Sequence, residues 1–246
     1  MVKTMIKTRT TPSLIEGKNY YCAGCGHSIV VRLICEVVEE MGLMDRTVYV
    51  RGVGCRHTKF NHIQAPHGRA CAMATGVSRS LPDLLTLTFQ GDGDAYTIGL
   101  SETFNAAYRN ENFAMIVVNN CIFGMTGGQM AHTTLEGEVT TTSPYGRDCS
   151  KTGQPLRFPE ILAQNFDNAF VARGSVFSPA EVNRTKSYIR KAFEKQQAHE
   201  GFSLVEVLVP CPTNWGMAPL DALKKVETTM AQYYPIGVLH ERGQQG

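Results

Sequence analysis

The chain has 246 residues and a formal net charge of +2, so it can bury a sizeable core as one α/β domain. The small net charge gives no strong attraction for nucleic acid, and no apolar run approaches the roughly 20 residues that cross a bilayer. Residues 1–18 are polar and basic without the apolar segment of a secretory signal. We therefore expect a cytoplasmic protein with no nucleic-acid or membrane partner.

Strand-like and helix-like segments alternate along the chain. Apolar residues recur at helical spacing after Cys25, and Gly42 ends that run. Ser178, Pro179 and Glu181 are the residue types expected at the start of a helix. The predicted strands cover residues 47–53, 84–90, 113–118, 170–176 and 202–209, and the predicted helices cover residues 29–41, 67–81, 97–109, 178–194 and 219–233.

This alternation predicts an α/β fold with a mostly parallel sheet flanked by helices. Residues 123–154 are rich in Gly and Thr and show no clear period, and an irregular segment of that length usually serves function. In parallel sheets, ligands bind at the carboxyl ends of the strands. Unusual residues follow several predicted strands directly, namely Gly54-Cys55, Gly91-Asp92-Gly93-Asp94, Asn119-Asn120 and Pro210-Cys211.

Two of these strand ends can hold a magnesium ion. Asp92 offers a carboxylate oxygen, Asn120 an amide oxygen and Ile122 a backbone carbonyl, with diphosphate oxygens and water completing six ligands. The glycines beside Asp92 allow the backbone to approach phosphates closely, and the predicted helix from Thr97 points its N-terminal end to the same place. The alternative is that Gly-Asp-Gly-Asp is only a turn and Asn-Asn only the start of a loop.

Four of the eight cysteines have positions that suit a metal or cluster site. Cys22 and Cys25 form a CxxC motif in a loop, and Cys55 and Cys211 each follow a predicted strand. Four thiolates suit a [4Fe–4S] cluster or a structural Zn²⁺, and spacing alone leaves both open. A thioredoxin-like dithiol is a third interpretation. The other four are expected to pack or to be incidental, namely Cys35, Cys71, Cys121 and Cys149.

The run from residue 91 to residue 129, which ends Ile-Phe-Gly-Met-Thr-Gly-Gly-Gln, resembles the thiamine-diphosphate subunit of 2-oxoacid:ferredoxin oxidoreductases. The resemblance extends over His67-Gly68-Arg69, residues 142–148 and residues 211–216, and thus over nearly the whole chain. The short length and the last two motifs are most similar to the enzymes that act on 2-oxoisovalerate, followed by those that act on 2-oxoglutarate. The resemblance implies one thiamine-diphosphate-binding domain across residues 1–246.

The resemblance also implies roles for individual residues. Magnesium would be held by Asp92, Asn120 and the Ile122 backbone, and a [4Fe–4S] cluster by Cys22, Cys25, Cys55 and Cys211. The implied thiamine diphosphate contacts are Gly54, Cys55, His67, Gly68, Gly91, Gly93, Asp94, Asn120, Gly124 and Met125, of which Met125 would support the bent cofactor. His67 and Thr126 are candidate catalytic residues that would touch cofactor or substrate, although His67 alone could equally cap or pack a helix.

A basic cluster follows Cys55 and consists of Arg56, His57, Lys59 and His62. One interpretation is that it recognises the carboxylate of a 2-oxoacid. The other is a solvated loop or a subunit interface, and the sequence leaves the two open.

The implied reaction is oxidative decarboxylation of a 2-oxoacid to acyl-coenzyme A and CO₂, with electrons passing through the cluster to ferredoxin. Thiamine enzymes also need a glutamate on a pyrimidine-binding domain, and the chain has room for one α/β domain. We therefore expect a larger partner subunit that carries that domain, often accompanied by a small ferredoxin-like subunit. The alternatives are a non-catalytic iron–sulfur or zinc protein and a thiamine decarboxylase without electron transfer.

Overall fold

The computed structural model describes residues 11–15, 21–54 and 59–243. The strands are β1 (Thr47–Arg51), β2 (Asn61–Gln64), β3 (Leu85–Gly91), β4 (Ala114–Asn119), β5 (Phe170–Ser175), β6 (Ser203–Leu208) and β7 (Gly237–Glu241). The α-helices are α1 (His27–Glu40), α2 (Ala70–Ser80), α3 (Leu100–Tyr108), α4 (Cys149–Thr152), α5 (Phe158–Asn165), α6 (Pro179–Gln197), α7 (Pro212–Trp215), α8 (Pro219–Lys225) and α9 (Ala231–Tyr233). Two π-helical segments, Gly93–Ile98 and Val226–Met230, and a 3₁₀ turn, Met44–Arg46, complete the regular structure of the described ranges.

In this part of the chain the strands form one sheet in the order β2-β1-β3-β4-β6-β5-β7. Strands β1 to β6 pair in parallel, and β7 pairs antiparallel with β5 at the edge. The prediction of a mostly parallel α/β sheet is therefore confirmed. Because all the parallel strands point the same way, the chain leaves each of them at the same edge of the sheet.

Helices cover both faces of the sheet and bury its central strands completely. Every residue of β4, β5 and β6 is buried, as expected for parallel strands that lie between two layers of helices. Helices α1 and α6 contribute to the hydrophobic cluster on one face, and α2, α3 and α5 contribute to the cluster on the other.

Several element boundaries differ from the predicted ones near the functional edge. The helix predicted from residue 67 begins at Ala70, so His67 and Gly68 lie in the preceding turn. Gly68 has a φ of +78°, and a Cβ there would lie 2.9 Å from the Gly99 backbone nitrogen. The helical segment predicted from Thr97 begins at Gly93, directly after Asp92. A tight turn and a π-helical start, neither visible as apolar periodicity, account for both differences.

The short strands β2 and β7 and the helices α4, α5 and α7 were not predicted. Strand β2 has the sequence Asn-His-Ile-Gln, which lacks apolar alternation and is mostly exposed. Strand β7 pairs with β5 through a register shift. Edge strands of this kind depend on a neighbouring strand, so local sequence carries little signal for them.

The segment at residues 123–154 is irregular up to α4, as predicted, but buried contacts fix it. Arg147 is 3% exposed and donates hydrogen bonds to the carbonyl oxygens of His132 (3.0 Å), Thr134 and Gly153 (2.9 Å). Its guanidinium thus satisfies backbone acceptors that secondary structure would otherwise pair. No helix in the described ranges combines the length and apolar character required to cross a bilayer.

The N-cap of α6 gives a test of the predicted start of that helix. The Ser178 hydroxyl accepts a hydrogen bond from the Glu181 backbone N–H at 3.3 Å, so Ser178→Ala should lower the free energy of unfolding by about 1 kcal/mol. Ser187→Ala, on the exposed face of the same helix, is the matched control and should change it by less than about 0.5 kcal/mol. Equal effects of the two variants in denaturant titrations would contradict the capping role.

Candidate cofactor site

A cavity of about 320 Å³ opens at the carboxyl ends of the parallel strands. Its walls come from the segments that follow β1, β3, β4 and β6 and from the loop that precedes α1. Most of the lining therefore comes from residues that directly follow parallel strands, which is where such sheets bind ligands.

The cavity brings together most of the residues predicted from the sequence. Its lining includes Cys22, Cys25, Gly54, His67, Gly91, Asp92, Gly93, Asp94, Asn120, Ile122, Gly124, Met125, Thr126 and Cys211. Gly68 lies just behind it, because its backbone N–H donates to the Asp94 carboxylate at 2.8 Å. Cys55, Arg56 and His57 lie outside the described residues, so their predicted roles stay predictions.

Three oxygen atoms converge in the middle of this lining. The amide oxygen of Asn120 lies 2.7 Å from the Ile122 carbonyl oxygen and 3.1 Å from Asp92 Oδ1. With the amide turned over, its NH₂ group would instead donate to both oxygens. The orientation of this amide is an assignment, and a cation bound to Asp92 Oδ1, the Ile122 carbonyl and Asn120 would select the one that directs the amide oxygen to the other two. Neighbouring ligands of an octahedral Mg²⁺ are about 3 Å apart, so the spacing fits that ion.

The Asp92 carboxylate is buried away from the water that normally solvates such a group. It is 1% exposed, and burial raises its pKa to about 7. The Thr133 hydroxyl donates to Oδ2, and this bond opposes the pKa increase without supplying a positive charge. A divalent cation beside Asp92 would stabilise its ionised form.

Both oxygens of the Asp94 carboxylate accept hydrogen bonds from protein donors. Oδ1 accepts hydrogen bonds from His67 Nδ1 and the Gly68 N–H, and Oδ2 accepts one from Gln90 Nε2 at 2.6 Å. A diphosphate contact predicted for Asp94 could therefore come from its backbone but not from its carboxylate. Because the carboxylate binds Nδ1 of His67, Nε2 is the ring nitrogen left for the cavity. Asp94 is thus a positioning residue for His67.

Thr126 and Met125 both line the cavity, but their side chains differ in how they can contact a bound molecule. The Thr126 hydroxyl donates to Gln129 Oε1 at 2.5 Å, and Gln129 Nε2 donates back to the Thr126 carbonyl at 2.9 Å. The hydroxyl oxygen of Thr126 can therefore accept a further hydrogen bond, but its proton is already engaged. Met125 is 60% exposed, so its side chain is open to contact with a bound molecule.

The loop that carries Cys22 and Cys25 contacts the turn that carries Cys211. The Gly26 N–H donates to the Pro210 carbonyl at 3.3 Å, which joins the CxxC loop to the turn that carries Cys211. Cys22, Cys25 and Cys211 line the same cavity and are free of disulfides. Among the residues that the structure describes, no three His, Cys, Asp or Glu side chains meet closely enough to hold one metal ion.

The remaining cysteines lie in packed surroundings, as predicted for the two on helices. Cys35 and Cys71 are completely buried, and burial raises the pKa of each thiol to about 12. Cys121 and Cys149 are also buried. Buried thiols such as Cys35 and Cys71 behave as small apolar side chains.

Three residues at or next to the cavity were not predicted. Thr133 donates to Asp92 from a position 41 residues further along the chain, so no local pattern marks it. Asn214 donates through Nδ2 to Cys211 Sγ at 3.3 Å and to the Gly124 carbonyl at 2.8 Å. His27 lies with Nδ1 3.4 Å from Cys25 Sγ. The last two follow predicted cysteines within three residues, which was the available signal.

Comparison with known proteins gives a consistent picture. Residues 45–207 match the family model described as thiamine pyrophosphate enzyme, C-terminal TPP binding domain. The chain is 42% identical over 228 residues to the ketoisovalerate oxidoreductase subunit VorA of Methanothermobacter thermautotrophicus, covering 91% of this chain and 48% of that relative. It is 38% identical over 212 residues to the 2-oxoglutarate synthase subunit KorB of Archaeoglobus fulgidus, covering 84% and 75% respectively.

A solved structure shows the same fold. The 2-oxoglutarate:ferredoxin oxidoreductase from Magnetococcus marinus superposes with a TM-score of 0.76 at 21% sequence identity, over 98% of this chain and 88% of that one. The chain spans about half the length of VorA and its counterpart in Methanothermobacter marburgensis.

The packing around Asp94 gives a test of how the site is held. A Cβ at Gly52 would lie 2.2 Å from Asp94 Oδ2, so Gly52→Ala should displace the carboxylate and destabilise the fold by about 1–3 kcal/mol. Gly76→Ala is the control, because a Cβ there meets nothing within 4 Å and should stabilise helix α2 by up to about 1 kcal/mol. Denaturant titrations of both variants check this, and an unchanged stability of Gly52→Ala would contradict the packing.

Proposed function

The chain belongs to the thiamine pyrophosphate enzymes, and from this membership we propose that it is the thiamine-diphosphate-binding subunit of a 2-oxoacid:ferredoxin oxidoreductase. The proposed reaction is the oxidative decarboxylation of a 2-oxoacid to acyl-coenzyme A and CO₂, with electrons leaving through a [4Fe–4S] cluster to ferredoxin. The observation that carries this proposal is the convergence of oxygens from Asp92, Asn120 and Ile122 in a cavity that Cys22, Cys25 and Cys211 also line.

Thiamine diphosphate, when bound, supplies the carbon nucleophile for the 2-keto group and accepts the electron pair released when CO₂ leaves. The role of Asp92, Asn120 and the Ile122 carbonyl is to hold the Mg²⁺ that grips the diphosphate. The helical segment that begins at Gly93 directs the N–H groups of its first turn away from its own backbone acceptors, and such groups suit diphosphate oxygens. Gly54, Gly91 and Gly124 line the same cavity without side chains that would fill it.

His67 is proposed to hold or move a proton at its Nε2 atom. Its Nδ1 contacts the Asp94 carboxylate, so the ring keeps one orientation while the substrate carboxylate and the cofactor occupy the cavity. An imidazole oriented in this way is suited to general acid–base chemistry. Thr126, through its hydroxyl oxygen, is proposed to accept a hydrogen bond from the substrate or cofactor.

Cys22, Cys25, Cys55 and Cys211 are proposed as the cluster ligands. Support comes from the cavity that the three described cysteines share and from donors next to the sulfur atoms. Asn214 Nδ2 lies 3.3 Å from Cys211 Sγ, and hydrogen bonds to cluster sulfurs are one means by which proteins tune reduction potential.

The proposed substrate is a branched-chain 2-oxoacid such as 2-oxoisovalerate, with 2-oxoglutarate as the second candidate. The names of the relatives at 42% and 38% identity support this order. We further propose that residues 1–246 act as one domain, and that a larger subunit supplies the pyrimidine-binding domain and its glutamate. A small ferredoxin-like subunit would complete a cytoplasmic complex.

The decisive experiment is anaerobic purification of the assembled complex, followed by spectroscopy and rate measurements. A [4Fe–4S] cluster absorbs at about 400 nm, and this absorption should bleach on addition of a 2-oxoacid with coenzyme A. Steady-state rates on 2-oxoisovalerate, 2-oxoglutarate and pyruvate then rank the substrates. A colourless protein that contains only zinc would overturn the electron-transfer proposal, and 2-oxoacid oxidation without formation of acyl-coenzyme A would overturn the proposed product.

The magnesium site is tested by Asp92→Ala. Loss of the anionic ligand should weaken Mg²⁺-dependent binding of thiamine diphosphate more than about 100-fold, since even outer ligands of metal sites are worth about 10–100-fold. Asp45→Asn is the control, because Asp45 is exposed and precedes β1 at the opposite edge of the sheet. Calorimetric titration of both variants measures the effect, and normal affinity in Asp92→Ala would show that the site lies elsewhere.

The cluster ligands are tested by Cys211→Ser. A serine hydroxyl is a poor substitute for a thiolate ligand, so this variant should lose most of its iron and its visible absorption. Cys35→Ala is the matched control, because Cys35 is buried in α1 away from the cavity lining and should leave the iron content unchanged. Full iron retention in Cys211→Ser would remove this residue from the ligand set.

A further inference from the structure

We infer that a buried ion pair, Arg173 with Glu206, positions the magnesium ligands through Asn119. This inference rests on the proposed magnesium site. Arg173 on β5 and Glu206 on β6 are partners in the parallel register, and both side chains are completely buried. Arg173 Nε donates to Glu206 Oε2, and its NH1 and NH2 groups each donate to Glu160 at 2.7 Å.

A gain in folding stability alone does not explain why a buried ion pair is present here. Taking two charges out of water costs about as much as their attraction returns, and well-packed apolar residues often stabilise a core as much. Here the pair fixes the orientation of a neighbouring amide. Glu206 uses Oε2 for Arg173 and offers Oε1 to Asn119, the last residue of β4, whose Nδ2 donates to it at 3.2 Å.

Glu206 thereby decides which way the Asn119 amide points. A carboxylate accepts hydrogen bonds and cannot donate them when ionised, so the NH₂ group of Asn119 must face Glu206. The amide oxygen then faces the other way and accepts the Cys121 backbone N–H at 3.0 Å. Asn119 closes a turn with its own side chain, a motif in which an Asn side chain replaces a backbone acceptor.

This turn holds a strained backbone position between two metal ligands. Cys121 has a φ of +58°, a left-handed conformation that side chains other than Asn, Asp and Gly seldom adopt. It lies between Asn120 and Ile122, and the resulting reversal leaves the Asn120 amide oxygen 2.7 Å from the Ile122 carbonyl oxygen. The first residue of the Asn pair therefore shapes the turn, and the second supplies the ligand.

A second series of contacts connects the same ion pair to Asp92. The Arg173 guanidinium lies 5.2 Å from the centre of the Tyr234 ring. The Tyr234 hydroxyl donates to the Thr133 carbonyl at 2.7 Å, and the Thr133 hydroxyl donates to Asp92 Oδ2. One buried cation thus has connections to all three proposed ligands, which is why we assign it to the metal site and not to the core alone.

The test measures Mn²⁺ binding to the full chain, in the complex in which it is isolated, with thiamine diphosphate present. Mn²⁺ replaces Mg²⁺ as the probe, and electron paramagnetic resonance counts the free ion. Asn119→Ala removes the turn-closing amide and should weaken Mn²⁺ binding about 10–100-fold. Glu206→Gln leaves one acceptor for the two donors of Arg173 and Asn119 and should weaken binding in the same direction.

Rescue separates positioning from a general loss of stability. The double variant Asn119→Ala/Cys121→Gly should recover most of the lost affinity, because glycine adopts a positive φ without help. Val205→Ala, also completely buried on β6 but outside this network, should lower the free energy of unfolding and leave Mn²⁺ affinity unchanged.

The outcomes distinguish the inference from the proposed function. No thiamine-diphosphate-dependent Mn²⁺ binding by the unmodified protein would overturn the proposed function and this inference with it. Normal binding by both the unmodified protein and Asn119→Ala would overturn the inference alone. Weakened binding by Asn119→Ala that Cys121→Gly does not restore would also overturn it, since the side chain would then act by a route other than the turn.

Discussion

Negative charge buried at the carboxyl edge of the sheet is the constraint on which the rest of this structure depends. Asp92, Asp94 and Glu206 are each at most 2% exposed, and a buried carboxylate needs donors or a cation to remain ionised. Asp94 has His67, Gly68 and Gln90, and Glu206 has Arg173 and Asn119. Asp92 accepts from Thr133 and, within the described part of the chain, pairs with no cationic side chain. The missing charge partner and the two polar groups beside Asp92 are the reasons why we propose the metal ion at this position.

The cavity places oxygen ligands and cysteine sulfur atoms close to one another. Gly124 shows how close they are, because a Cβ at that position would lie 3.5 Å from Cys211 Sγ and 3.7 Å from the Asn120 amide nitrogen. Hard oxygen ligands on one side suit magnesium and diphosphate, and soft thiolates on the other suit iron. Their proximity is what makes oxidation a better proposal than decarboxylation alone, since a one-electron acceptor would lie beside the carbon that loses CO₂.

Much of this site follows from strand ends that can be read in the sequence. Buried strands show as apolar runs, and the residues directly after them, Asp92, Asn120 and Cys211, meet because parallel strands end at one edge. The predicted catalytic His67 also reaches the cavity, although the turn before α2 and not the helix itself carries it. The cofactor contact predicted for Asp94 stays a prediction, and the structure adds that its carboxylate holds His67, a partner 27 residues away. Thr133 was missed, because a loop residue gives no periodic signal.

The sequence by itself determined the parallel α/β architecture, the glycine and acidic turn after β3, the Asn pair after β4 and the family resemblance, because these depend on local order and spacing. Only the tertiary structure decided which carboxylate faces the proposed metal site and which supports a histidine, and how Asn119 differs from Asn120. Those assignments depend on partners from distant strands, such as Glu206 and Arg173. Hydrogen-bond donors and acceptors are matched in space, and a linear pattern does not record which distant group will be the nearest neighbour.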